Sequence, residues 1–191
     1  MGGPPPPPPP PSFGSAASSK RPQPPLVPPQ GPPGAFLVEL VVYNGSPFKD
    51  HWAYFVRSRQ NAQVGVLVHA TGDVRNGFRL EYKRMLDFDV TASKPTSRIP
   101  LQWVEGQYFN ERAMLNNGVY KSDNRPVCRF EESASKIAAP GKSLNSASDM
   151  SSGKKVVQRN CQTWVVESAY QLTTDGIFLP EVAAYLNAIK Q

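Results

Sequence analysis

Thiol and imidazole are the scarcest chemistry in this chain: its 191 residues include 2 Cys and 2 His. Two cysteines without an export signal make no disulfide framework, so Cys128 and Cys161 read as free thiols. No apolar run approaches the roughly 20 residues that a bilayer-crossing helix needs. The N-terminus lacks a cationic start followed by an apolar stretch, and Pro6 stands where a myristoylation signal wants Ser or Thr. A cytoplasmic location is therefore expected, with a nuclear one as the alternative. Cys-x-x-Cys and His-x-x-x-His spacings are missing, which removes the usual close pair of metal ligands. No glycine-rich turn stands between a strand and a helix to cradle phosphate. Neither a cofactor nor a metal is expected. Acids are the thinner side of the charge, 15 against 21 Lys and Arg, for a formal net charge of +6. That surplus, including Arg57, Arg59, Arg75, Arg79, Lys83 and Arg84, is scattered among acids rather than gathered with stacking aromatics. Nucleic acid is accordingly not an expected partner.

Proline, by contrast, is plentiful and concentrated. Residues 1–34 hold an unbroken run from Pro4 to Pro11, a Ser-rich stretch and further prolines to Pro33. Proline lacks an amide donor and fixes φ near −65°, which favours solvated polyproline II over a packed core. Residues 1–34 are expected to be a disordered tail. It is suited to docking on SH3, WW or profilin-type partners, with a plain spacer as the alternative. Residues 35–191 have the size of one domain.

Within that domain, Phe36–Tyr43 reads as a buried strand closed by the Asn44-Gly45-Ser46-Pro47 turn. His51–Val56 and Val64–Ala70 form a hairpin across a polar loop, and a turn at Thr71-Gly72-Asp73 leads to an alternating strand from Phe78 to Leu86. Ile99–Val104 is a further strand. Weaker helical spacing covers Gln107–Leu115 and Cys128–Ala138, and residues 139–155 are rich in breakers and predicted to be a flexible loop. From Cys161 the apolar positions Trp164, Val165, Ser168, Ala169 and Leu172 share one helix face, with Gly176 placed to stop it. Pro180-Glu181 starts a last helix through Ile189. The fold class is α+β: an antiparallel sheet packed against the helix that Cys161 opens.

The two histidines bracket the hairpin, in His51-Trp-Ala-Tyr-Phe-Val and Val-Leu-Val-His69-Ala, and Asn160-Cys161-Gln162-Thr163-Trp164 opens the helix. A hydrolytic cysteine needs a base within hydrogen-bond reach and a polar group to orient that base, so these three residues are a candidate thiol active site. A helix start favours thiolate, and Lys154, Lys155 and Arg159 lie just upstream. Each residue also has a plainer reading: His51 as a strand-edge side chain, His69 as a partner of Thr71 or Asp73, and Cys161 as a small core hydrophobe. A zinc site of two His and one Cys is the minor chemical alternative.

These three motifs, in this order, resemble the circularly permuted papain-like fold, whose best-known branch is the lecithin retinol acyltransferase-like group, with related permuted thiol peptidases and amidases. The resemblance spans Phe36 to Gly176 in topology. It departs from that branch in a longer hairpin loop and in Cys-Gln-Thr-Trp where that group tends to have Cys-Glu-His-Phe. The resemblance implies that Cys161 is the nucleophile, His51 the base and His69 the orienting residue. The amide of Cys161, with Gln162 assisting, would bind the oxyanion. The implied activity is acyl transfer through a thioester, on a small-molecule, peptide or lipid amide or ester, as hydrolase or acyltransferase. The alternative is an inactive domain of the same fold, serving as a binding module to which the tail recruits partners.

Overall fold

Apolar, β-branched Phe36–Tyr43 forms strand β1, buried on both faces as far as Val41. In the computed structural model, which describes residues 22–142 and 159–191, it lies inside a six-stranded antiparallel sheet. The other strands are β2 (His51–Arg57), β3 (Val64–Asp73), β4 (Gly77–Asp87), β5 (Ser97–Val104) and β6 (Lys121–Asp123), in the order β5-β1-β2-β3-β4-β6. The helices are the single turn α1 (Glu111–Met114), α2 (Arg129–Ser135), α3 (Cys161–Thr174) and α4 (Pro180–Ile189). The chain is thus an α+β domain.

Strand alternation divides the burial. Val38, Leu40, Trp52, Tyr54, Val56, Val66 and Val68 face the helices and form the main core with Trp164, Val165, Leu172 and Leu186. Val41, Ala53, Phe55, Leu67 and Leu86 face the other way, where Phe88 covers them in a smaller core. Tyr54 pins α3 to the sheet: its hydroxyl donates to the Val165 carbonyl at 2.6 Å. Trp164, whose ring packs on Tyr54, donates from Nε1 to the Ile137 carbonyl at 2.9 Å. Each fully buried side chain of this size contributes about 1.5–3 kcal/mol, so Tyr54 and Trp164 together fix where α3 begins.

One ion cluster is buried with the core. The Arg84 guanidinium grips Glu131 bidentately at 3.0 and 3.1 Å, and reaches Asp123 Oδ2 at 3.3 Å and the Arg125 carbonyl at 2.7 Å. It ties β4 to β6 and α2, and β6 owes its place to it. Lys121-Ser-Asp123 has no strand pattern of its own.

Several expectations are corrected. Thr71-Gly72-Asp73 is not a turn but the end of β3, paired with Gly77, Phe78 and Arg79. A Cβ at Gly72 would run into the Gly77 carbonyl, so glycine there permits close strand approach, and the turn follows at Asp73, whose carboxylate caps the amides of Arg75 and Asn76. The helix expected at Gln107–Leu115 is a 3-10 turn at Gly106–Tyr108 and the one-turn α1, begun by the Asn110 cap on the Ala113 amide. The helix at Cys128–Ala138 contracts to Arg129–Ser135.

The tail divides. Its run Pro4–Pro11 lies outside the described residues, as do residues 143–155 of the expected loop, including Lys154 and Lys155. Residues 22–34, however, lie along β5, where Trp103 Nε1 donates to the Pro28 carbonyl at 2.9 Å and Gly31 packs flat on the indole. Proline lacks a donor but keeps its carbonyl, which is enough to satisfy the indole. Among the described residues no helix is long and apolar enough to cross a membrane.

Candidate active site

His51 opens β2 and His69 lies just past the middle of β3, offset diagonally across the pair. Diagonal cross-strand side chains on one face come within reach of each other, and His51 Nε2 stands 2.7 Å from His69 Nδ1. Directly across the next pairing, Glu81 on β4 faces His69, and its Oε2 is 2.9 Å from His69 Nε2. Ser122 of β6 donates to the other carboxylate oxygen at 2.7 Å. Sequence reasoning reached the two imidazoles but not Glu81. The signal for it is its position opposite His69, which depends on the β3/β4 register, and that register shifts at Gly65/Leu67.

This chain of bonds settles the tautomers. A carboxylate only accepts, so His69 carries its proton on Nε2 and offers its Nδ1 lone pair. His51 therefore donates from Nε2, and its Nδ1 is left as a lone pair. That nitrogen has no protein partner among the described residues.

Burial sets the charges. It pushes His51 down to about 4, with the neighbouring His69 and Lys83 pushing the same way and Glu81 opposing. His69 is also held below its usual value, chiefly by burial, against the hydrogen bond it donates to Glu81. Burial pushes Glu81 up, but its bonds from Ser122 and His69 prevail and keep its carboxyl low. At neutral pH the group is a carboxylate with two neutral imidazoles.

Cys161 is the first residue of α3. Asn160 caps it: Asn160 Oδ1 accepts from the Thr163 amide at 3.1 Å, and Thr163 Oγ1 accepts from the Asn160 amide at 3.3 Å. Cys161 lies on the helix side of the sheet, and the residue is 6% exposed. It is set against the two peptide groups that flank His51, with Sγ 4.0 Å from the Asp50 carbonyl oxygen and the Trp52 amide directed at it. Burial raises the thiol pKa, outweighing the lowering by the amides of Trp52, Gln162 and Cys161. The thiolate that the helix start was expected to favour is thus replaced by a neutral thiol. Arg159, expected to favour thiolate, is paired with Glu167 in solvent.

The structure therefore brings His51 and His69 together and adds Glu81, on the sheet face opposite α3. There the two histidines line a cleft of ≈ 200 Å³ with Tyr43, Lys83, Thr91 and Ser93. It brings Cys161 to the backbone of His51, without a hydrogen bond from the sulfur to either imidazole among the described residues. The alternative partners for His69, Thr71 and Asp73, are not used. Gln162 does not fit the expected oxyanion role: its carboxamide hydrogens already go to the Asp50 carbonyl at 2.9 Å and to Gln191 Oε1 at 3.1 Å. Cys128 is buried away from this group, and its thiol is pushed up to about 12 by burial and by Glu131. Among the described residues no group of three or more His, Cys, Asp and Glu side chains is arranged to hold a metal ion.

Comparison with known protein families matches residues 38–179 to a family of unknown function, DUF6540. No curated protein and no solved structure matches the chain.

Proposed function

The chain belongs to the DUF6540 family of unknown function, and from that premise we propose that this member is a cysteine-dependent acyl-transfer enzyme with Cys161 as nucleophile, His51 as base, and His69 and Glu81 as positioning residues. One observation carries the reading. The 2.7 Å bond from His51 Nε2 to His69 Nδ1 leaves His51 Nδ1 as a free lone pair, on the residue whose two flanking peptide groups meet the Cys161 sulfur. The permuted papain-like resemblance supports the same roles.

The chemistry follows from the protonation states. The Cys161 sulfur and the His51 ring lie on opposite faces of the sheet, so the thiol proton passes to Nδ1 of neutral His51 through water at the start of β2, and the sulfur attacks the acyl carbon. The Cys161 amide at the start of α3 donates to the oxyanion. The carbon–nitrogen or carbon–oxygen bond then breaks, and His51 returns the proton to the departing amine or alcohol. A thioester remains. Water, activated by the same nitrogen, hydrolyses it; an amine or alcohol in place of water makes the enzyme a transferase. A pKa held at about 4 keeps His51 in its basic form throughout the neutral range. We assign this work to a reducing compartment, cytoplasmic or nuclear, where both thiols stay free.

Incubation with p-nitrophenyl acetate tests the reading. The expected product is a single acetyl group on Cys161, located by peptide mass mapping and absent in Cys161→Ala. Acetylation confined to lysines contradicts the reading.

A second reading has its own observation: the sulfur is buried and unbonded to either ring. It makes the domain an inactive version of the same fold, acting as a binding module and recruiting partners through the proline-rich tail. The same incubation separates the two.

A further inference from the structure

The backbone groups around Asp50 dictate how Gln162 and Gln191 must be oriented. The Asp50 carbonyl only accepts, so the Gln162 atom 2.9 Å from it is Nε2, and Oε1 is left to accept from the Gln191 amide at 2.9 Å. The Asp50 amide only donates, so the Gln191 atom 3.0 Å from it is Oε1, and Gln191 Nε2 then meets Asp50 Oδ2 at 3.0 Å. Gln162 Nε2 adds a second donor to Gln191 Oε1 at 3.1 Å, and Lys49 Nζ reaches the main-chain oxygen of Gln191 at 2.6 Å. Gln191 is thus read at its main-chain nitrogen and oxygen and at both ends of its carboxamide.

The reader is built rather than incidental. Gln162 is fully buried, and the Asp50 carbonyl that orients it is also the acceptor beside Cys161 Sγ. A glutamate at position 191 would set a carboxylate against Asp50, and an apolar side chain would leave the Asp50 amide and the second Gln162 Nε2 hydrogen without their acceptor. A site built to hydrogen-bond a group rejects analogues that lack it far more strongly than an apolar pocket rejects a change of size.

We propose that Lys49, Asp50 and Gln162 form a subsite for a glutamine residue of a peptide, next to the Cys161 thiol and filled here by Gln191. Its place in catalysis rests on the acyl-transfer reading, and it makes the substrate class peptidyl rather than lipid. Binding itself rests only on the clamp. In the intact chain Gln191 competes from within the same molecule, at an effective concentration in the millimolar range, and so holds the subsite against weak ligands.

The test is titration of acetyl-Ile-Lys-Gln N-methylamide into the full chain and into Gln191→Ala, followed by amide chemical shifts and calorimetry. Saturable binding to Gln191→Ala is expected, at least about 10-fold tighter than to the intact chain. The matching Glu peptide should bind at least about 10-fold more weakly than the Gln peptide. Asp50→Asn, introduced into Gln191→Ala, should erase that preference, because an asparagine amide can donate to a carboxylate. No binding by a folded Gln191→Ala, or equal binding of Gln, Glu and Leu peptides, overturns the subsite and makes Gln191 a structural tether. Acetylation of Cys161, measured in the same samples, answers separately: peptide binding without acetylation keeps the subsite and removes the thiol chemistry, and the converse removes only the subsite.

Discussion

Glu81 stands directly across the β3/β4 pairing from His69, and its 2.9 Å bond to Nε2 decides which nitrogen of His51, one strand further on, is free to take a proton. Glu81→Gln keeps an acceptor for His69 but removes the charge. Loss of tautomer control should slow acylation of Cys161 by at least about 10-fold, part of the 10²–10⁴ that a positioned base supplies. Because Glu81 raises the His51 pKa, the acid limb of the rate profile should move to lower pH. A structural role alone would lower the rate with the limb unmoved.

Stability should depend on the same imidazole. The folded pKa of His51, about 4, lies below its ordinary 6.5. Between these values the unfolded chain binds the extra proton, so stability falls as pH drops from about 6.5 towards 4. The difference is on the order of 3 kcal/mol, and lowered His69 adds in the same direction. Urea unfolding at pH 7 and pH 4.5 measures it. His51→Gln should flatten the slope, and an unchanged slope would assign the acid sensitivity to other groups.

The two cysteines should behave oppositely. Cys161→Ala is expected to abolish acylation while the thermal midpoint stays within a few degrees of wild type. Cys128→Ala should acylate normally, since that thiol is buried and pushed up to about 12. Equal loss in both variants would remove Cys161 from its role.

Arg84→Ala should destabilise the domain by about 3–5 kcal/mol, because it leaves Glu131, 0% exposed, as an uncompensated buried charge. Arg84→Ala with Glu131→Ala together should cost less than the sum of the two. An additive double-mutant cycle would show that the pair is not coupled.

Gly31→Val should lift residues 22–34 from β5, since a Cβ there meets the Trp103 ring. The tryptophan emission should shift to the red with acylation unchanged. An unshifted spectrum would mean that the segment has another anchor.

What could be read in the sequence follows from range. The five longer strands and the helix at Cys161 carry their pattern locally, in apolar alternation or in a capped apolar face, and they appear within a few residues of where that pattern places them. α4 begins at Pro180, where the local proline signal places it, whereas β6 depends on Arg84, far away in the chain, which no short window shows. The site was legible as residue types: His51, His69 and Cys161 are chemically rare, so they attract notice. Glu81 is one acid among 15 Asp and Glu, and only register distinguishes it. Burial was the other hidden quantity. The charges near position 161 pointed to a thiolate, whereas the folded chain keeps thiol and imidazole neutral because both lose water.

The most direct measurement is the pH dependence of acetyl-Cys161 formation from p-nitrophenyl acetate, in wild type and His51→Gln. With neutral His51 as the base, the wild-type rate should hold from pH 7 to about 5 and fall near the His51 pKa of about 4. In His51→Gln the rate should be at least about 10²-fold lower at pH 6, and should climb with pH only as the thiol itself ionises. Superimposable profiles would contradict the account, because Cys161 would then react without help from His51.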